Sequence, residues 1–155
     1  MTDHQTPTPI WRGIHHIALA TPDLDATLAF YRDVLGMEVS AIFPSPEGRG
    51  RHALIFVKPG DSETWGFHFF ERPAANQQQS ASSEALPLNS GAGLMLHIAF
   101  RLLDDASAQA LRERLRHHHI PITEIEALGS FVFHDNNGIM LEATWNRSDN
   151  GISDQ

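Results

Sequence analysis

The chain has 155 residues, of which 41% are hydrophobic and 19% charged, which is ordinary for one compact domain with its own core. Its formal charge of -8 and its single lysine, Lys58, argue against nucleic acid as a partner, because phosphates attract clusters of basic side chains. The absence of cysteine excludes disulfides and thiolate chemistry, so any metal site must be built from histidine and carboxylate.

No feature of the sequence indicates a membrane or an export route. No apolar run approaches the roughly 20 residues that span a bilayer. The first residues, Met1 to Pro9, are polar and carry prolines, without the apolar core of a signal peptide. We therefore expect a cytoplasmic protein with no membrane partner.

The first half of the chain predicts one strand, one helix and then three strands. The run IHHIALA over 14–20 alternates as a strand does, and it ends before Pro22, which cannot donate to a sheet. Asp23 is the expected N-cap of the helix, and Gly36 is its expected C-terminal stop. The three strands are predicted at 38–43, 52–57 and 65–71.

The second half predicts the same order of elements. Between the halves, the stretch over 72–93 is rich in Ala, Gln, Ser and Asn, which is typical of a linker or an active-site lid. Asp104 or Asp105 is the expected cap of a helix that runs to about His118. The strands of this half are predicted at 94–100, 120–128, 130–134 and 139–145.

This repetition predicts a single domain made of two βαβββ modules. Its expected boundaries are 1–147 for the domain, about 12–71 and 94–146 for the modules, 72–93 for the polar linker and 148–155 for a tail.

Three segments of the sequence carry a family resemblance. They are HIALATPDLDATLAFYRDVLGME from His16 to Glu38, LHIAF from Leu96 to Phe100, and FVFHDNNGIMLEATW from Phe131 to Trp145. Together they resemble the vicinal oxygen chelate superfamily, which contains glyoxalases, bleomycin-resistance proteins and extradiol dioxygenases. The resemblance implies an α+β fold in which two tandem βαβββ modules curl their mixed sheets around a metal-binding cavity.

One turn departs from the family pattern. The usual Asp-Pro-Asp-Gly appears here as Asp135-Asn136-Asn137-Gly138. Asn-Gly still supplies the positive φ that a tight hairpin turn requires, so the closing hairpin should survive.

The resemblance implies ligands for one divalent metal ion, either Zn, Ni, Mn, Co or Fe(II). Carried over by position, they are His16 on the first strand, His97 on the fifth and Glu142 on the eighth. His68 takes the fourth place, in the segment His68-Phe69-Phe70-Glu71, and Glu71 at the strand end is the alternative. Strand alternation agrees, since each of the four has apolar neighbours that point to the other face. Four polar groups on one enclosed face would be costly unless a cation satisfied them.

Other histidines are expected to have structural or solvent-exposed positions. His15 should face away from His16. The run from His117 to His119 should cap the helix dipole in solvent. His134 is within reach of the cavity mouth and has no predicted role, and His4 and His52 carry no signal. Trp65, Phe70 and Met140 either line the pocket or fill it.

The number of ligands bears on the reaction. Four ligands leave two adjacent places on an octahedral ion, enough for a small substrate that chelates through vicinal oxygens and whose enolate is stabilised by Lewis acidity. Glu142 is then the expected base. Three ligands would leave room for a catecholate and dioxygen, as in an Fe(II) extradiol-type dioxygenase. Resemblance to extradiol dioxygenases would imply an active-site tyrosine near the last strands. The only tyrosine here, Tyr31, lies in the helix motif, and this weighs against ring cleavage.

The expected function is therefore metal-dependent isomerase, lyase or epimerase-type proton transfer, with Glu142 as the catalytic residue. A metal-free binding protein that sequesters a ligand, as in bleomycin resistance, is the alternative from a different class. A homodimer is expected, because a curled sheet leaves edges that invite pairing.

Overall fold

The computed structural model describes residues 14–45, 48, 50–58, 60, 66–72 and 95–145. Trp65, most of the predicted linker and the predicted tail lie outside the described residues. The elements are β1 (His16–Thr21), α1 (Leu24–Ala29), a π-helical turn (Phe30–Val34), β2 (Glu38–Pro44), β3 (Arg51–Phe56), β4 (Gly66–Glu71), β5 (Ile98–Arg101), α2 (Asp105–His117), β6 (Thr123–Ile125), β7 (Ser130–His134) and β8 (Met140–Thr144). Within this part of the chain, no helix is long and apolar enough to cross a membrane.

Each half of the chain forms its own four-stranded mixed sheet. The strand orders are β1-β4-β3-β2 and β5-β8-β7-β6. In both sheets the first strand pairs in parallel with the last one of its module, and the remaining pairs are antiparallel. The predicted α+β class and the tandem βαβββ modules are confirmed, and the sheets are curled modules rather than closed barrels.

The first helical segment, which is α1 followed by the π-helical turn, begins and ends where the sequence predicts. The side chain of Asp23 accepts a hydrogen bond from the backbone N–H of Ala26 at 2.9 Å. At the other end, Gly36 has a φ of +74° and donates its N–H to the carbonyl of Arg32. A left-handed residue here closes the last turn, and glycine adopts that conformation without a steric cost.

The core lies on one face of each sheet, against the helices. Phe67 and Phe69 of β4 are buried and pack around Tyr31, with ring centroids 5.1 Å apart in both cases. In the second module, Phe131 and Phe133 of β7 are buried as well. The opposite face of the first sheet, which we call the open face, carries the remaining side chains of the alternating strands.

The turn between β7 and β8 ties the two modules together. The hydroxyl of Tyr31 donates to Asp135 Oδ2 at 3.0 Å, and Asn136 donates to the hydroxyl of Thr27 at 3.0 Å. Of the turn residues only Gly138 has a positive φ, at +80°. Burial, followed by the charge of Asp135 and their hydrogen bond, raises the pKa of Tyr31 above its ordinary value.

Two predicted strands are shorter in the structure. β5 begins at Ile98, so His97 precedes the strand instead of lying on it, because pairing with β8 starts only where Ile98 meets Leu141. β6 covers Thr123–Ile125 alone. Its chain then turns back through hydrogen bonds from the N–H groups of 128 and 129 to the carbonyl of Ile125, which ends the ladder.

Candidate metal centre

Two of the four predicted ligands lie side by side on the open face of the first sheet. β1 and β4 are parallel neighbours in a register that sets Ala18 opposite His68 and His16 opposite Gly66. The rings of His16 and His68 therefore approach each other diagonally, with centroids 5.9 Å apart. The alternation argument for these two residues is confirmed.

A third histidine, which the sequence reasoning missed, completes this cluster. His52 Nδ1 lies 2.7 Å from His68 Nε2, and the His52 ring stacks between those of Phe43 and Phe70. Alternation along β3 contained the signal, because Ala53 and Ile55 are buried and His52 must then point to the open face. Isolated histidines are common on strands, so His52 gave no signal by itself. Its contact with His68 follows from the sheet order, which makes β3 the neighbour of β4.

The imidazole of His68 favours its neutral form. Burial, and then the neighbouring His52 and His16, lower the pKa of His68 below its ordinary value. Neutral imidazole is the form that binds metal ions. The local environment of His68 thus suits a ligand.

Glu71, the alternative fourth ligand, is engaged elsewhere. Its carboxylate binds the guanidinium of Arg51 at 2.7 Å and 3.0 Å, and Arg51 reaches on to Asp25 at 3.0 Å. Hydrogen bonds from Arg51 are the main reason that the pKa of Glu71 is lowered. The structure therefore gives Glu71 a structural ion pair.

The other two predicted ligands form a pair in the second module. His97 Nε2 lies 3.1 Å from Glu142 Oε2, and the Glu142 side chain is only 12% exposed. The hydroxyl of Ser130 donates to the other carboxylate oxygen, Oε1, at 2.5 Å. Ser130, which is buried, also escaped the sequence reasoning, although it lies two residues from Val132, the partner of Glu142 across β7 and β8.

Other histidines depart in part from their predicted places. His15 does not face away from His16, because their Nδ1 atoms are 2.9 Å apart. His15 precedes β1, so strand alternation does not govern its side chain. The residues from His117 to His119 are exposed at the end of α2, as predicted.

His134 lines a cavity of about 590 Å³ beside Phe30 and His118, on the helix side of the molecule.

A smaller cavity lies between β1 and β5, the first strands of the two modules. It has a volume of about 400 Å³ and is lined by His16 and Lys58 from one module and by Ile98 and Ala99 from the other. Ala99 is the neighbour of Glu142 across β5 and β8. The cavity therefore touches the surroundings of both pairs of predicted ligands.

The four predicted ligands have side chains of the types that bind a divalent transition metal, and the structure arranges them as two pairs. Three imidazoles and one carboxylate are ligands that Zn, Ni, Mn, Co and Fe(II) accept. Among the residues that the structure describes, no three histidine, aspartate or glutamate side chains come together as a metal site. The four-ligand centre of His16, His68, His97 and Glu142 is therefore a proposal.

Comparison with known proteins places this architecture in a family. The sequence profile of the Glyoxalase/Bleomycin resistance protein/Dioxygenase superfamily matches residues 13–143, most of the chain. The chain belongs to this superfamily. Solved structures of the glyoxalase superfamily agree with that assignment at the level of the fold.

Three such comparisons cover nearly the whole fold. A glyoxalase/bleomycin resistance protein/dioxygenase domain from Frankia sp. EAN1pec has a TM-score of 0.65 and 19% identity, covering 88% of this chain and 99% of that one. Lactoylglutathione lyase from Agrobacterium tumefaciens has a TM-score of 0.57 and 24% identity, covering 89% and 96%. A fosfomycin resistance protein from Listeria monocytogenes, solved with Mn(II) and a dihydroxypropylphosphonic acid, has a TM-score of 0.60 and 16% identity, covering 86% and 92%.

Curated sequences give a shorter but more similar match. Mouse mitochondrial methylmalonyl-CoA epimerase is 39% identical over 61 residues, which is 38% of this chain and 33% of that protein. The human enzyme is 38% identical over 61 residues, 38% of this chain and 34% of that protein. The match thus spans about a third of each relative.

Proposed function

We propose that this glyoxalase-superfamily member is a metal-dependent isomerase or epimerase that transfers a proton on a small substrate with two neighbouring oxygens that chelate the metal ion. The observation that carries the proposal is the state of Glu142. It is a nearly buried carboxylate with one partner on each oxygen, Ser130 and His97. A carboxylate held in this way, in a family built around metal sites, has the chemistry of a base beside a ligand set.

The ligand set is proposed from both modules. His16 and His68 would hold the ion from the first sheet, and His97 and Glu142 from the second. When bound, a divalent ion would supply Lewis acidity that stabilises negative charge on the substrate oxygens. No other chemistry is required of it.

The chain's own residues account for the movement of the proton. Glu142 accepts a proton from the carbon next to a carbonyl group, and the electron pair of that C–H bond moves to the carbonyl oxygen. Return of a proton to carbon yields the isomer. Ser130 holds Oε1 in place at 2.5 Å, which leaves Oε2, 3.1 Å from His97, as the atom that changes partner. In the proposed mechanism Glu142 would help to hold the ion before substrate binds and would act as the base once substrate is bound.

Methylmalonyl-CoA is the first substrate to test. The mouse enzyme whose name states that activity is 39% identical to this chain over 61 residues. The proposed proton transfer next to a carbonyl is of the kind that an epimerase performs. The match covers only part of both proteins, so the substrate is a hypothesis for direct assay.

The experiment measures solvent exchange at carbon. Protein loaded separately with Zn, Ni, Mn, Co or Fe(II) is mixed with methylmalonyl-CoA in D2O, and deuterium at the α-carbon is followed by mass spectrometry. We expect exchange that a chelator abolishes and that Glu142→Gln lacks. A metal content near zero for all five ions would refute the enzyme proposal and leave the metal-free binding protein as the better hypothesis. One equivalent of metal without exchange would refute the substrate.

A further inference from the structure

On the open face, His52 lies between two aromatic rings. The register of the sheet sets it directly opposite Phe43 on β2 and Phe70 on β4. Its ring lies nearly parallel to both, at interplanar angles of 29° and 16° and centroid distances of 5.3 Å and 5.4 Å. Two aromatic rings therefore hold the plane of the imidazole, and the contact of its Nδ1 with His68 determines which edge of the ring faces β4.

The Nδ1 atom of His52 contacts the Nε2 atom of His68. The distance from His52 Nδ1 to His68 Nε2 is 2.7 Å, which is a short hydrogen bond between two imidazoles. The His68 ring also packs on Phe70, with centroids 4.1 Å apart. An imidazole has two ring nitrogens, so a histidine that donates a hydrogen bond through Nε2 binds a metal ion through Nδ1.

We propose that His52 is a positioning residue for His68: its Nδ1 accepts the Nε2–H of His68, so that His68 presents Nδ1 to the metal ion. This inference rests on the proposed function, because it concerns one member of the proposed ligand set. Histidine ligands generally donate their second ring N–H to an acceptor, which fixes the tautomer and the ring orientation. Here a second histidine takes the place that a carboxylate or a backbone carbonyl usually has.

Protons balance in this arrangement without any change of total charge. His68 carries its proton on Nε2 and keeps the lone pair of Nδ1 for the ion. His52 carries its proton on Nε2 and offers the lone pair of Nδ1 to His68.

The first test is metal affinity, measured with Zn(II) by competition with a chelating dye. His52→Phe keeps a flat ring between Phe43 and Phe70 and removes only the acceptor. We expect it to weaken Zn(II) binding by about 10 to 100-fold, the usual effect of losing a partner of a histidine ligand. His52→Gln supplies a new acceptor oxygen and should recover part of that loss. The matched control, His117→Phe at the exposed end of α2, should bind Zn(II) as the wild type does.

The second test needs no variant and separates positioning from direct ligation. Long-range ¹H–¹⁵N spectra of histidine-labelled, Zn(II)-loaded wild-type protein identify which ring nitrogens bind metal and which carry protons. We expect metal at Nδ1 of His68, a proton at its Nε2, and an unmetallated Nδ1 on His52. Metal at Nε2 of His68, or at either nitrogen of His52, would overturn the inference.

The outcomes distinguish this inference from the function on which it rests. Failure of the wild type to bind any of the five ions would remove the proposed function and this inference with it. One equivalent of bound Zn(II), together with unchanged affinity in a folded His52→Phe variant, would leave the function standing and refute the role of His52 alone.

Discussion

Tyr31 and Asp135 form a buried hydrogen bond between the modules, and removing its donor should weaken the whole domain. Tyr31 is fully buried and Asp135 is 6% exposed, so Tyr31→Phe leaves Asp135 Oδ2 without its tyrosine donor in a place that water barely reaches. Asp135 Oδ1 keeps its bonds from the N–H groups of Asn137 and Ile139, which limits the damage to one interaction. A buried hydrogen bond to a charged group contributes about 1.5 to 3 kcal/mol.

That loss should be measurable by urea unfolding and by heating. For a domain of this size each 1 kcal/mol lowers Tm by about 2 to 4 °C, so a decrease of roughly 3 to 12 °C is expected. The slope of the urea transition should not change, because the core is otherwise intact. A decrease below about 0.5 kcal/mol would refute the argument, because it would mean that water satisfies Asp135 as well as Tyr31 does.

The same residue gives an optical readout of pH. Tyr31 is the only tyrosine, so the absorbance change of tyrosinate reports this one group. Because burial raises the pKa of Tyr31, its contribution to stability is fully present below the ordinary value of about 10 and is lost as the pH rises above it. Ionisation should therefore coincide with alkaline unfolding followed by circular dichroism. Ionisation near pH 10 in a still folded protein would contradict the buried position.

Three further predictions concern the site and its frame. Glu142→Gln should reduce metal affinity by at least about 10-fold and abolish deuterium exchange while the far-UV spectrum is unchanged; equal metal retention would remove Glu142 from the ligand set. Glu71→Gln should lower the free energy of unfolding by up to about 1 kcal/mol at neutral pH, because the ion pair with Arg51 is lost. The difference between variant and wild type should disappear in acid, once the pH is below the lowered pKa of Glu71 and the wild-type carboxylate is protonated. Metal affinity should be unchanged in that variant, and a clear loss would restore Glu71 as a ligand. Gly36→Ala should cost about 1 kcal/mol or more, because a φ of +74° is strained for a residue with a Cβ, whereas the flexible end of Arg114 can move away from that Cβ; an unchanged Tm would show that the turn relaxes.

Local sequence determined the elements of this protein and the faces of its strands. Asp23 and Gly36 mark the ends of α1 and its π-helical turn because capping depends on a few neighbouring backbone groups. Alternation placed His16 and His68 on one face because successive strand side chains point to opposite sides whatever the strand pairs with. The repeated order of elements, with the segments that resemble the superfamily, was sufficient for the fold.

Only the tertiary structure decided which of these side chains meet. His52 and His68 are 16 positions apart, and they touch because β3 and β4 pair in the register that sets Leu54 opposite His68. Ser130 reaches Glu142 for the same kind of reason, across β7 and β8. Alternation gives the face of a side chain but not its neighbours across the sheet. Those neighbours depend on strand order and register, which the packing of the whole module sets.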